Sequence, residues 1–107
     1  MMYELRIYHI CPDKLQDILE RFRDHTLQMF KKHGMKVTEF WEDADEATNR
    51  LYYVMEHADI ETRNRHFERF HEDPAWIELK RVTEQNGPLF QKIETIFMKK
   101  VPFFAER

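Results

Sequence analysis

Residues 2–10, MYELRIYHI, alternate only in part between apolar and polar side chains and are rich in Tyr, Ile and Leu, the pattern of a strand in the middle of a sheet. The period then changes: Leu15, Ile18, Leu19, Phe22, Met29 and Phe30 recur at helical spacing, with ERFRD and KKH on the wet side. Pro12 is expected in the first turn of that helix, with Asp13 adding favourable charge, and Gly34 after His33 is its stop. MKVTEFWED (35–43) and RLYYVMEHA (50–58) return to strand composition around the polar ADEATN, which predicts a hairpin. Asp59 can cap a short helix carrying Ile60, Phe67 and Phe70. Asp73-Pro74 opens another, with Ala75, Leu79 and Val82 on one stripe and Trp76 beside it. Gly87-Pro88 closes that helix, with positive φ expected at Gly87 as its cap, and FQKIETIFMKK (90–100) reads as the last strand.

The order β-α-β-β-α-α-β, without linker or repeat, predicts one domain over residues 1–107. Its class is α+β: a ferredoxin-like split βαβ with a four-stranded antiparallel sheet and helices on one face. The first and third strands are expected as central neighbours, parallel to one another. Tyr8, Tyr52, Val54, Ile96 and Met98 would then line the other face, which the chain has no element left to cover. A homodimer solves that problem.

Composition narrows the function classes. Net charge is −3 with both signs interspersed, so a nucleic-acid surface has little support, and Lys31-Lys32 and Lys99-Lys100 read as solvated spots. Cys11 is the only cysteine, which fits a reducing compartment. No targeting segment is expected ahead of the first strand, and no apolar run approaches the roughly 20 residues that span a bilayer. A cytoplasmic protein without membrane insertion is the expectation. Two isolated glycines cannot form a phosphate-binding loop, and no threonine has a triad context.

The histidines are the first candidates for chemistry. His66 and His71 lie about 140° apart around a helix, and His25 and His33 are two turns distant, so no metal site is predicted. His9 and His57 each end a central strand. Parity groups Leu5, Ile7 and His9 on one strand and Leu51, Tyr53, Met55 and His57 on the other; both sets are expected to face the helices. With His25, Trp41, Tyr53 and Trp76 they make the candidate pocket: His9, His25, Trp41, Tyr53, His57 and Trp76. At least one imidazole there should have a depressed pKa. The opposite parity holds Glu4, Arg6 and Tyr8 with Tyr52, Glu56 and Glu94, a candidate polar network on the dimer face that sets register.

YELRIY at 3–8, FRDHTLQMFKKHGMKVTEFW at 22–41, DPAW at 73–76 and NGPLFQKIETIFM at 86–98 resemble the NIPSNAP family. The resemblance implies a dimeric α+β barrel, two ferredoxin-like sheets packed face to face. Mitochondrial members carry a targeting extension with no counterpart before the first strand here, so a compact, bacterial-type version is expected. The family brings no agreed catalytic residues. Its wider superfamily spans cofactor-free monooxygenases, heme-degrading enzymes, isomerases and plain binding proteins. The expectation is therefore a small-molecule-binding protein of undetermined activity, its small apolar or aromatic ligand held between helices and sheet. The alternatives are a cofactor-independent monooxygenase or isomerase, or a non-catalytic interaction module. No cofactor is expected, heme on an imidazole being the lesser alternative.

Overall fold

The computed structural model describes residues 1–104 of the chain. Four strands, β1 (Met2–Ile10), β2 (Lys36–Glu42), β3 (Arg50–His57) and β4 (Phe90–Met98), form one sheet in the order β2-β3-β1-β4. All three pairings are antiparallel. The smallest dimension, 21 Å, accommodates two layers and no third. One face carries the helices; the other carries no helix or strand of the described residues, and Lys100 reaches over Tyr3 at its edge.

The first helix is interrupted. An α-helical stretch α1 (Leu15–Arg21) passes into a π-helical turn at Phe22–Thr26 and resumes as α2 (Leu27–Lys32). The Leu27 N–H reaches back five residues to the Phe22 carbonyl. Ile18, Phe22, Thr26 and Phe30 are all buried. In a straight α-helix positions four apart drift by about 40° per step, so the wider turn keeps this row on the sheet. Pro12 lies before the helix rather than in its first turn. Lys14 N–H bonds the Cys11 carbonyl at 3.1 Å and Asp13 takes φ +64°, which makes Pro12-Asp13 the centre of a β-turn. Gly34 does stop α2: its N–H bonds the Lys31 carbonyl and the Met35 N–H bonds that of Phe30, with φ +82° at the glycine.

Helices α3 (Ile60–Glu72) and α4 (Pro74–Thr83) begin as their side chains dictate. Asp59 accepts from Thr62 N–H, and Asp73 from Ala75 N–H ahead of Pro74. Gly87 has the expected positive φ, +112°, but α4 ends at Thr83, so the glycine turns the chain after the helix instead of capping it. The core is aromatic: Phe22 meets Tyr53 edge-on at 5.4 Å, Phe30 lies 4.9 Å from Phe70, and Phe40 stacks on Tyr53 at 5.1 Å.

Two expectations about the sheet also fail. β1 and β3 are antiparallel: the helical crossover brings the chain back in β2 along the direction of β1, and the hairpin then reverses it once into β3. The faces of β1 are also swapped. Glu4, Arg6, Tyr8 and Ile10 point at the helices with Leu51, Tyr53, Met55 and His57, while Leu5, Ile7 and His9 look onto the open face. Tyr8 therefore leaves the open-face set; Tyr52, Val54, Ile96 and Met98 stay in it beside Leu5 and Ile7.

Candidate functional site

Swapping the faces of β1 places a carboxylate beneath the helix layer. Glu4 is fully buried. Its carboxylate accepts four bonds: from His57 Nε2 at 2.9 Å, Arg63 Nε at 3.0 Å, Arg63 Nη2 at 2.7 Å and Arg6 Nη1 at 3.0 Å. Arg63 is thus a bidentate clamp reaching down from α3. Burial alone would raise the Glu4 carboxyl, but the bonds from His57 and Arg63, with the charge and bond of Arg6, outweigh it and bring it to about 2. The network continues inward: Arg6 Nε donates to the Tyr53 hydroxyl at 2.7 Å, and the Tyr53 and Tyr8 hydroxyls lie 3.0 Å apart. Burial drives the Tyr53 phenol well above its ordinary value, so it stays a neutral hydroxyl. The Arg6 guanidinium sits 4.7 Å from the Phe67 ring centre and that of Arg63 4.5 Å, on the same side chain.

Beside this network, between the π-helical turn, α3, α4 and the sheet, an enclosed cavity of about 90 Å³ is lined by Arg6, Tyr8, Arg21, Phe22, Thr26, Phe30, Phe67, Phe70, Trp76, Phe90 and Ile93, with His71 and Lys80. The last two are exposed and mark its way to solvent. Such a volume is several times what one water needs. Burial first, then the neighbouring charges of Arg6, Arg63 and Lys80, lower the His71 pKa. The His66 pKa is lowered too, by burial first; neither histidine belongs to the candidate pocket, where the depressed imidazole was expected. A wider open groove of about 680 Å³ runs between α2 and β2, along Leu27, Lys31 and Met35–Phe40. It contains none of the buried polar network and cannot exclude water, which makes the enclosed cavity the stronger candidate.

The candidate pocket residues are dispersed. Tyr53 and His57 both belong to the buried network, and Trp76 walls the cavity. His9 lies at the opposite end of β1 from His57, on the other face, 3.3 Å from Glu94. His25 is exposed in a surface cleft with Asp17, Glu20 and Asp24. Trp41, 50% exposed, pairs with Tyr52 on the edge of the open face. Of the supposed dimer-face network, Glu4, Arg6 and Tyr8 are under the helices, whereas Glu56 and Glu94 remain outside with Lys36, Lys92 and His9. Arg21 and Arg63 were not anticipated. Arg63 precedes Phe67 by four residues and Arg21 follows Ile18 by three, so both share a stripe with core residues. That spacing was the available signal. No group of metal-binding side chains occurs among the described residues, and no helix among them is long and apolar enough to cross a membrane.

Comparison with known proteins places this arrangement. No curated protein matches the chain significantly. Among solved structures, an uncharacterised NIPSNAP domain protein from Burkholderia xenovorans superposes with TM-score 0.81 at 21% identity, covering 99% of this chain and all of that one. A NIPSNAP family protein from Agrobacterium tumefaciens gives 0.82 at 17% identity, over 95% and 94% of the two chains. An antibiotic biosynthesis monooxygenase is more distant, at TM-score 0.62 and 14% identity, covering 95% of this chain and all of the other; it shares the fold alone. The NIPSNAP profile matches residues 3–105. With the overall fold and a family match over residues 3–105 in agreement, the chain belongs to the NIPSNAP family.

Proposed function

We propose that this NIPSNAP protein, one domain over residues 1–107, is a cytoplasmic homodimer in which each subunit binds a small, largely apolar or aromatic molecule between its helices and its sheet. The observation that carries this reading is the enclosed, aromatic-walled cavity beside a buried polar network. Solid packing is the rule in protein interiors, and a space of this size costs stability unless something uses it. The open face supports the dimer: Leu5, Ile7, Tyr52, Val54, Ile96 and Met98 form a contiguous apolar surface with no cover from the described residues. Pairing two such faces would bury on the order of 2,000 Å².

Binding is favoured over acid–base catalysis by the state of Glu4. A carboxyl held near 2 with four donors is a poor base at neutral pH. That leaves His71 at the rim as the residue able to move a proton, so cofactor-free oxygenase or isomerase chemistry has only the shared fold behind it. Native mass spectrometry and Trp76 fluorescence against a panel of single-ring compounds test the reading. Binding is expected, and Thr26→Leu, which extends a side chain into the cavity, should abolish it. A folded dimer that binds none of the panel would leave the interaction-module reading in its place.

A further inference from the structure

The cavity between the π-helical turn and the sheet has a charge as well as a shape. Four basic residues line it, Arg6, Arg21, His71 and Lys80, and no acidic residue does. Two carboxylates stand behind the arginines. Glu4 is shared between Arg6 and Arg63, so that cluster keeps one net positive charge. Glu84 bonds Arg21 Nη1 at 2.9 Å and also meets Lys80 at 3.5 Å, again one carboxylate for two cations.

Arg21 supplies the independent observation. It is 4% exposed, its guanidinium lies 5.1 Å from the Trp76 ring centre, and its Nη1 is satisfied by Thr83 and Glu84. Its Nε–H is buried and meets no acceptor on the described residues. A buried donor left without an acceptor costs about 1–3 kcal/mol, so such groups are rare unless something else supplies one.

We propose that the cavity takes a small monocarboxylate with a flat or short apolar body. Its carboxylate would face Arg21 Nε and its body would lie against Trp76 and Phe70. This rests on the cavity being a ligand site and adds the chemical class of the ligand. Doubly charged and bulky anions are excluded by the volume and by the aromatic walls.

The test compares benzoate with its neutral counterpart benzyl alcohol at pH 7, in Trp41→Phe protein so that emission reports Trp76 alone. Benzoate should bind at least about ten-fold more tightly, the increment of one charge-assisted hydrogen bond in a dry site. Arg21→Gln should bring the two affinities within about three-fold, while Arg21→Lys should keep part of the preference. The ratio in otherwise unchanged protein decides the matter even if both Arg21 variants fold poorly. Equal affinities, with Trp76 responding to both, would overturn the carboxylate assignment and leave the binding site standing. Silence of Trp76 toward both probes, and toward the neutral single-ring panel, would overturn the site itself and this inference with it.

Discussion

The two faces of β1 invert the usual pattern. The face beneath the helices, where water is excluded, holds Glu4, Arg6 and Tyr8; the face with no cover in the described chain holds Leu5 and Ile7. A lone subunit gains nothing from that arrangement. The inner charges are tolerable because each is bonded to another fixed group, and the outer apolar residues make sense when a second sheet covers them. Under the function proposed above, the inner face would carry specificity, of geometry and of ligand, and the outer face assembly.

Breaking the inner face should have the largest effect. Glu4→Gln removes the anion that holds Arg6, Arg63 and His57 together, and should cost about 3–5 kcal/mol, a large share of the stability of a domain this size. Urea denaturation measures it. Replacing the ionic cluster together, as Glu4→Leu with Arg6→Met and Arg63→Met, should cost less than that single change, since no buried charge is left without a partner. A triple variant less stable than Glu4→Gln would show that the network contributes more than its own compensation.

On the outer face, Ile7→Lys should leave the subunit folded and weaken association by at least about a hundred-fold, because each copy would bury an uncompensated ammonium at the seam. Sedimentation across micromolar concentrations checks this. An unchanged dimer would move the interface elsewhere, and an unchanged monomer in the parent protein would remove it.

How much of this was legible follows from what periodicity encodes. Element order, the hairpin, the Asp59 and Asp73 caps and the glycine stop at Gly34 depend on local chemistry, and the sequence carries local chemistry openly. β1 does not announce its faces, because both are buried or bound for burial and either set could be called inward. Hydrophobicity alone sends the apolar set toward the helices. Glu4 and Arg6 go inward because Arg63, Tyr53 and His57 arrive there from elements far along the chain. The parallel pairing expected of β1 and β3 was avoidable, since counting chain reversals gives the antiparallel answer. Antiparallel pairing and the swapped faces put His9 at the opposite end of the sheet from His57 and on its other side. The π-helical turn left only a faint trace, the four-residue spacing from Ile18 to Phe30.

Acid should expose the inner face from another direction. The Glu4 carboxyl takes up its proton near pH 4.5 when unfolded and only near 2 when folded. Between those values the unfolded state holds more protons, so the contribution of Glu4 is complete above about pH 5 and drains away as pH falls toward 2. Carboxyl ¹³C NMR should show Glu4 still ionised at pH 3.5. A midpoint at or above 4 would mean that the four donors do not hold it as the geometry requires.

The smallest effect is expected where two histidine–glutamate pairs differ in surroundings and in bonding. His57 and Glu4 are both buried and 2.9 Å apart; His9 and Glu94 are 3.3 Å apart, with Glu94 half exposed on the outer face. His57→Ala removes one of four donors to a buried carboxylate and the ring that lies 6.4 Å from Phe67, so a loss of about 1–3 kcal/mol is expected. His9→Ala removes a 3.3 Å contact that is not a hydrogen bond, to a carboxylate half exposed to water, and the denaturation midpoint of the subunit should stay where it was. The comparison is sharpest in the Ile7→Lys background, in which the outer face is wet. If His9→Ala is silent there yet destabilises the parent dimer, His9 and Glu94 belong to the seam, and the outer face has a polar register of its own. If it is silent in both, the two faces of β1 divide cleanly: ionic order within, apolar contact without.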